Sequence, residues 1–179
     1  YACPDCGISI EELAPRMFSF NSPFGACPEC SGLGALKNIP VDLVLPDMSK
    51  SLNDGAVSAM GWNSSGDESS MAHMMFVGLS EKYGFSMDTP VGELPKNILD
   101  IILYGTRGVK VPMRYESISG SGTYNVSYEG IIPTLMRRYR ETTSETAKAM
   151  YESFMREEPC PACQGKRLKP EALAVTVGG

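Results

Sequence analysis

Six cysteines arranged as three Cys-x-x-Cys pairs constrain the fold of this chain more than any other feature. The pairs are Cys3/Cys6, Cys27/Cys30 and Cys160/Cys163, and Pro and Gly lie beside each one, in CPDCG, CPECSG and CPACQG. Two thiolates at this spacing bind one metal ion from the same side, and a structural zinc ion takes four ligands in a tetrahedron. Pairs should therefore bind zinc two at a time. Three pairs make one and a half sites, so we expect a piece of a larger protein.

Two other uses of paired cysteines fit the sequence less well. Disulfides need an oxidising compartment, and the chain contains no signal peptide and no long apolar segment. A redox Cys-x-x-Cys opens a helix after a strand, and no βαβ pattern surrounds any pair. We therefore predict structural zinc in a reducing cytoplasm. The single histidine, His73, lies in an apolar run far from the pairs, where a half-buried histidine on a surface helix is the simpler interpretation.

The distribution of cysteines divides the chain into three segments. Residues 1–36 hold two cysteine pairs around an irregular segment, and residues 37–158 contain no cysteine. Residues 159–179 return to the cysteine pattern and end in the strand-like run AVTVGG. We predict an α+β fold: a small zinc-stapled base of Cys-x-x-Cys knuckles carrying an inserted domain of helices and a hairpin. No stretch approaches the length of a membrane span.

Hydrophobic periodicity predicts the elements of the inserted domain. VDLVLP should be extended and the polar segment around Trp62 a loop. A helix should begin at Ser70 and end at Gly84, followed by a second helix in ELPKNILDIILYG, a hairpin in GVKVPMRY and GTYNVSYEG, and two helices separated near Thr142–Thr143. The residues predicted to be buried in the first two helices are Met71, Met74, Met75, Leu79, Leu99, Ile102 and Leu103.

Basic residues concentrate in one part of this acidic protein, whose net charge of −5 argues against a uniformly basic nucleic-acid binder. Cations on adjacent elements could follow a phosphate backbone. An ordinary solvated helix face, in which Arg137 and Glu141 form an i, i+4 pair, is the alternative. The candidate DNA-binding residues are Arg107, Lys110, Arg114, Arg137, Arg138 and Arg140.

Three stretches carry a resemblance to a known family: CPDCGISIEELAPRMFSFNSPFGACPECSGLG, EGIIPTLMRRYRET and CPACQGKRLKPEALAVTVGG. They resemble the UvrA family, the damage-recognition ATPases of bacterial nucleotide excision repair. The resemblance implies a section of the first half of a dimeric ABC-type ATPase, with its zinc module and a DNA-handling insertion domain. It also implies double-stranded DNA and other excision-repair subunits as partners, no membrane, a homodimer of the longer protein, and ATP with Mg²⁺ in that protein only.

The pairing of the cysteines stays open on spacing alone. Spacing favours a local finger of Cys3, Cys6, Cys27 and Cys30, with twenty residues between its knuckles. The duplicated layout of the UvrA family instead implies one site from Cys27, Cys30, Cys160 and Cys163, with Cys3 and Cys6 completed by a knuckle upstream. The second arrangement is our expectation.

No phosphate-binding loop of the GxxxxGK[ST] type occurs in the chain, and no Asp or Glu pair joins a nucleophile in a catalytic arrangement. We therefore expect the chain itself to be non-catalytic. Two alternatives belong to other classes: a structural or protein-binding module of a UvrA-like ATPase of the drug-resistance type, and a DnaJ-like co-chaperone zinc domain. The second alternative needs four closely spaced cysteine repeats, which this chain lacks.

Overall fold

The computed structural model describes residues 13–117 and 120–176. These residues form a mixed α+β structure, which confirms the predicted fold class. The chain divides into two compact units, one from residues up to 38 together with those from 157 onward, and one from residues 39–156. The helices and strands are β1 Ala35–Asn38, α1 Val41–Val44, α2 Met71–Tyr83, α3 Lys96–Tyr104, β2 Lys110–Ser117, β3 Gly120–Ser127, α4 Ile131–Glu141, α5 Glu145–Glu152, β4 Arg156–Pro159 and α6 Pro170–Leu173, with short 3₁₀ turns at Pro15–Phe18 and Val91–Glu93.

The core of the larger unit consists of apolar side chains from α2, α3 and α4 together with side chains of the segments that connect them. Phe76 of α2, Ile102 of α3 and Leu135 of α4 are fully buried. The ring of Trp62 lies 5.5 Å from that of Phe76 and 5.4 Å from that of Tyr128. Tyr128 also donates a 2.6 Å hydrogen bond to the carbonyl of Ile102. These contacts bury a continuous apolar cluster inside this unit alone.

Helix α2 begins and ends where its sequence predicts. The Ser70 side chain accepts a hydrogen bond from the backbone N–H of His73, and Gly84 ends the helix in the left-handed conformation with φ 71°. The predicted buried face is wrong at Met71, which is 61% exposed, and Met74 and Met75 are only half-buried. Ala72, Phe76 and Leu79 take the core positions instead, because they recur at the i, i+4, i+7 spacing of one helix face.

The predicted hairpin is confirmed. Strands β2 and β3 pair antiparallel, in a register that runs from Lys110 opposite Ser127 to Ser117 opposite Gly120. Helix α2 packs closely on this ribbon at Gly78. A Cβ atom at that position would lie 2.3 Å from the carbonyl oxygen of Pro112, so only a glycine allows the helix this approach.

The two helices predicted near the end of the larger unit are also present. Helix α4 ends at Glu141, and Ser144 caps α5 by accepting a hydrogen bond from the backbone N–H of Ala147. In α3, Ile102 and Leu103 are buried as predicted, whereas Leu99 is only half-buried and Ile98 occupies the inner position.

Two short segments differ from their predicted conformation. VDLVLP was expected to be extended, but Val41–Val44 form a helical turn that buries Val44, with the fixed φ of Pro40 at its N-cap. A strand was expected in 174–179, but residues 174–176 lie outside any strand and 177–179 are not described. Pro170 begins helix α6 immediately before it. None of the described helices is long and apolar enough to cross a membrane.

Replacing Gly78 with Ala should destabilise the larger unit, although Ala is the better helix former. The added methyl group must displace the backbone of β2, and such overpacking costs about 1–3 kcal/mol. Urea unfolding followed by circular dichroism measures the change. Met71→Ala, at an exposed site on the same helix, is the matched control and should change stability by less than about 0.5 kcal/mol. Equal stabilities for the two variants would contradict the close packing of α2 on the hairpin.

Candidate metal centre and basic surface

Four cysteines converge in the smaller unit. Cys27, Cys30, Cys160 and Cys163 are all buried, and their four sulfur atoms lie within 4.8 Å of one another. The sulfur of Cys27 is 3.9 Å from that of Cys160, and the sulfur of Cys30 is 3.7 Å from that of Cys163. A tetrahedral zinc ion with Zn–S bonds of about 2.3 Å separates its sulfurs by about 3.8 Å. The donor set and its spacing therefore fit zinc.

The two knuckles follow the same backbone course. In the first, Ser31 and Gly32 have φ values of 51° and 79°; in the second, Gln164 and Gly165 have 50° and 84°. The N–H of Leu33 donates to the carbonyl of Cys30, and the N–H of Lys166 donates to the carbonyl of Cys163, both at 2.9 Å. In the first knuckle the N–H of Gly34 also donates to the Cys30 sulfur at 3.2 Å, which stabilises negative charge on the sulfur.

Backbone hydrogen bonds hold the knuckles together across the long stretch of sequence between them. The N–H of Cys27 donates to the carbonyl of Arg167, and the N–H of Cys160 donates to the carbonyl of Gly34, both at 2.9 Å. Strand β1, which follows the first knuckle, pairs with β4, which precedes the second. The segments next to each knuckle are therefore hydrogen-bonded to the segments next to the other knuckle, and these bonds fix the two knuckles relative to each other.

Arg167 adds a side-chain connection that the sequence did not reveal. Its guanidinium lies 3.7 Å from the centroid of the Phe20 ring, and its Nε donates a 2.7 Å hydrogen bond to the carbonyl of Gly32. Its backbone has φ 71°, in the left-handed region. A positive charge at this position ties the segment around Phe20 to the cysteine cluster. Nothing in the spacing of the sequence identifies it, because Arg167 and Gly32 are 135 residues apart.

Two of the four thiols, those of Cys30 and Cys160, have shifted pKa values because the neighbouring thiols share their small buried space. Burial raises the pKa of Cys30, but hydrogen bonds from the Gly34 N–H and the neighbouring thiols outweigh it and lower the pKa to about 7. At Cys160 the backbone N–H of Cys163 lowers the pKa, but burial and the thiols of Cys163 and Cys30 outweigh it and raise the pKa to about 11. Zinc binds the thiolate form of cysteine, so a divalent cation at the centre of the cluster would favour ionisation of its ligands.

The other candidate ligands are Cys3, Cys6 and His73. Cys3 and Cys6 lie outside the described residues. His73 belongs to no group of potential metal ligands in the part of the chain that the structure describes. Its Nδ1 lies 2.7 Å from the carbonyl oxygen of Ser65, and the side chain is half-buried on α2, as the sequence predicted.

Arg137, one of the six candidate DNA-binding residues, is held by two carboxylates. Its Nε and Nη2 donate to Glu129 at 3.1 and 3.0 Å, and its Nη1 donates to Glu141 at 2.9 Å. These hydrogen bonds lower the pKa of Glu129 and raise that of Arg137. The i, i+4 pair with Glu141 was the alternative that the sequence suggested, whereas the partner Glu129 precedes the helix and was missed.

The remaining basic candidates lie in the turn before β2, on β2 and on α4. Arg114 is 68% exposed in its side chain and pairs with Glu81 of α2 at 3.1 Å. The side chain of Lys82 donates to the backbone carbonyl of Lys110. Four candidates form no ion pair with a carboxylate among residues 13–117 and 120–176: Arg107, Lys110, Arg138 and Arg140.

An α+β unit inserted between the two halves of a four-cysteine module is the class of protein that this fold and this cluster define. Residues 41–153 match the sequence profile of the UvrA DNA-binding domain, and the chain belongs to the UvrA family. It carries that family's DNA-binding domain together with a cysteine cluster suited to zinc.

Comparison with known proteins places the whole chain within UvrA sequences. It is 51% identical over its full length to UvrABC system protein A of Clostridium perfringens, and 46% identical to that of Halalkalibacterium halodurans. The chain spans about a fifth of these relatives, 19% and 18% of their lengths. In the crystal structure of UvrA2 from Deinococcus radiodurans, a segment covering 22% of that chain matches all of this one with a TM-score of 0.68 at 28% identity.

Replacing Cys160 with Ser should lower the zinc content of the purified chain by about one equivalent, because a hydroxyl in a thiolate position weakens a four-cysteine site. Elemental analysis after dialysis measures it. Cys3→Ser is the control and should leave the zinc of this site in place. Loss of zinc in Cys3→Ser but not in Cys160→Ser would instead favour the local finger.

Removing zinc with a strong chelator should leave the helices of the larger unit folded. Phe76, Ile102 and Leu135 pack within that unit and need no contribution from the cysteine cluster. Far-ultraviolet circular dichroism should therefore keep most of its helical signal after chelation, while protease sensitivity rises near residues 27–34 and 160–167. Complete loss of helical signal would mean that the two units unfold together.

Proposed function

We propose that this chain is the DNA-contacting zinc module and insertion domain of a UvrA-like nucleotide excision repair protein, and that it binds double-stranded DNA through the phosphate backbone. The observation that carries the proposal is the family match over residues 41–153, because the same residues carry the candidate basic surface. Recognition of many kinds of damage requires contacts to backbone and shape rather than to particular bases.

The six basic candidates differ in exposure and in carboxylate partners, and these differences determine how readily each can bind a phosphate. Arg138 and Arg140 are exposed on different sides of one turn of α4, and neither forms an ion pair with a carboxylate in the described chain. A phosphate approaching Arg137 must displace two carboxylates that already bind its guanidinium. We therefore assign Arg138 and Arg140 to the first contacts, and Lys110 and Arg107 to the region where the hairpin begins.

Arg137 also has a structural role in this proposal. By joining Glu129, which lies before α4, to Glu141 at the end of α4, it fixes the helix along its length. Its carboxylate partners are exposed, so each pair contributes little by itself, about 0–1 kcal/mol. Arg137 thus orients the helix that carries Arg138 and Arg140.

The cysteine cluster holds the smaller unit together. We assign one zinc ion to Cys27, Cys30, Cys160 and Cys163, with sulfur geometry and burial as the support. Cys3 and Cys6 form half of a second site in this proposal, completed by a knuckle of the longer protein. The boundaries 1–36, 37–158 and 159–179 describe the base, the insertion and the returning base.

The reaction belongs to the longer protein. The chain carries no phosphate-binding loop, so we assign it no catalysis, and we assign ATP hydrolysis with Mg²⁺ to the full-length protein as a homodimer in the cytoplasm. The name of its relatives, UvrABC system protein A, supports association of that protein with the other excision-repair subunits.

A protein-binding role is the second candidate, and one observation favours it. Around the first knuckle, several large apolar side chains are exposed: Leu13, Phe18, Phe20, Phe24 and Leu33. Apolar surface of this kind is typical of contacts with another protein surface. Salt distinguishes the two functions, because phosphate binding weakens steeply and log-linearly with salt concentration, while an apolar interface does not.

Replacing Arg137, Arg138 and Arg140 with Ala should weaken binding to duplex DNA of any sequence. The salt slope should flatten by about one unit for each phosphate that the variant no longer binds. Fluorescence anisotropy at several salt concentrations measures both quantities. Because carboxylates already hold Arg137, Arg138→Ala with Arg140→Ala should account for most of the effect and Arg137→Ala for little of the slope.

Lys96→Ala is the matched control, because it removes an exposed cation from α3, outside the proposed surface. It should leave affinity and salt slope unchanged. If the triple variant binds duplex DNA like the unmodified chain, the arginines form only a solvated surface and the proposed DNA contact is wrong.

A further inference from the structure

We propose that an exposed pair of tyrosines on the hairpin, Tyr115 of β2 and Tyr124 of β3, stacks on a DNA base that has left the helical stack. The ligand is an unstacked nucleobase of any sequence. This inference rests on the proposed DNA-binding function and assigns a part of the surface that the basic candidates do not include.

The two rings form a side-by-side pair on one face of the ribbon. Tyr115 lies opposite Gly122 and Tyr124 lies opposite Met113 in the strand register, so the rings are diagonal neighbours on the same face. Their centroids are 5.8 Å apart with the ring planes at 57°. A Cβ atom at residue 122 would lie 2.8–3.0 Å from the Tyr115 ring, so that ring lies directly over the Gly122 backbone.

Both rings are held by contacts with the ribbon, and part of the surface of each ring is exposed to solvent. Tyr124 donates a hydrogen bond to the sulfur of Met113 at 3.7 Å, and Met113, its neighbour across the strands on the same face, is 1% exposed. Tyr115 and Tyr124 nevertheless remain 40% and 38% exposed, whereas Tyr128, just beyond β3, is 2% exposed in the core. The two tyrosines of the ribbon thus keep accessible surface, whereas the tyrosine that follows β3 packs in the core.

An exposed aromatic ring recognises the flat face of a nucleobase. Stacking of this kind contributes about 1–3 kcal/mol per base and tolerates any sequence, because every base has a π-face. In intact duplex DNA both faces of each base are covered by its neighbours, so the tyrosines can reach a base face only where stacking is broken. A phosphate-binding surface combined with such a pair would prefer distorted DNA over regular DNA.

Charge around the hairpin suits the same ligand. Arg114 follows Met113 and precedes Tyr115 on β2, and its side chain is 68% exposed although one nitrogen pairs with Glu81. Lys110 begins the same strand, and Lys82 of α2 lies against its carbonyl. Lys110, which forms no ion pair with a carboxylate in the described residues, can bind a phosphate that flanks a stacked base. Helix α2 approaches the ribbon at the backbone carbonyl of Pro112 and the side chain of Val111, and the tyrosines lie further along the strands.

The test compares three fluorescently labelled DNAs at one salt concentration, using the zinc-loaded chain: a fully paired duplex, the same duplex with a short central run of mismatches, and the single strand. Tyr115→Leu with Tyr124→Leu keeps apolar cover over Met113 but removes the aromatic rings. It should lower affinity for the mismatched duplex by about 5- to 100-fold and leave the paired duplex unchanged. Tyr115→Phe with Tyr124→Phe is the matched control and should retain the preference.

The single strand identifies the source of the base. Equal loss of affinity for the single strand and the mismatched duplex means that any unstacked base suffices. Loss confined to the mismatched duplex means that flanking paired DNA is also bound. Both results support the stacking pair, because both require aromatic rings at these two positions.

A second variant removes any dependence on the stability of the leucine variant. Tyr115→Trp offers a larger ring and should bind the mismatched duplex more tightly, with quenching of the new fluorescence by that DNA and not by the paired duplex. Trp62, the only tryptophan of the chain, provides the background signal in the unmodified protein.

Three results would overturn the inference: no preference of the unmodified chain for mismatched over paired duplex, an equal loss on both duplexes in the leucine variant, or no quenching in Tyr115→Trp. Failure of the proposed function has a different signature, which is the absence of salt-dependent binding to the paired duplex itself. The same titrations therefore separate the two.

Discussion

The smaller unit of this structure depends on four buried sulfur atoms that the sequence separates widely. Each of the two close sulfur–sulfur contacts joins residues 133 positions apart. Closing a loop of that length costs about 4 kcal/mol of chain entropy. Structural zinc sites in small peptides contribute about 10–16 kcal/mol, so one metal ion outweighs that cost severalfold. Backbone pairing of β1 with β4 then fixes the strands that lead into and out of the inserted unit.

Electrostatics divides the basic residues of that unit into two groups with different tasks. Arg137 and Arg114 each bind carboxylates and so connect one element to another, α4 to the chain before it and the hairpin to α2. Arg138 and Arg140 bind no carboxylate in the described residues and keep their charge available for an anionic partner. A cluster that looks uniform in the sequence MRRYRE therefore contains one arginine bound by carboxylates and two that form no ion pair with a carboxylate in the described residues.

Local signals in the sequence predicted local structure well. The caps at Ser70 and Gly84, the hairpin and the break before Ser144 are each specified by residues within a few positions of the feature. The same signals were wrong at Met71, because several apolar residues compete for one helix face and tertiary packing chooses among them. VDLVLP also has no periodicity long enough to distinguish a turn of helix from a strand.

Long-range partners were beyond what local patterns can supply. Glu129 binds Arg137 from outside the helix, and Arg167 reaches the first knuckle from the second. The tyrosine pair depends on the strand register, since a shift of one residue would place the two rings on opposite faces. For the cysteines, spacing alone favoured a different grouping, and only the resemblance to a family with a duplicated layout suggested the convergence of Cys27, Cys30, Cys160 and Cys163.

The contact of Gly78 with the Pro112 carbonyl fixes the hairpin near one end and leaves its other end without that support. The ribbon is clamped at one end by a helix backbone that approaches too closely to slide, and the tyrosines lie further along the strands. A load applied to the rings must bend the strands or be transmitted to α2, and through Phe76 to the aromatic cluster with Trp62 and Tyr128. The stiffness of the hairpin thus depends on Gly78, a residue that has no side chain.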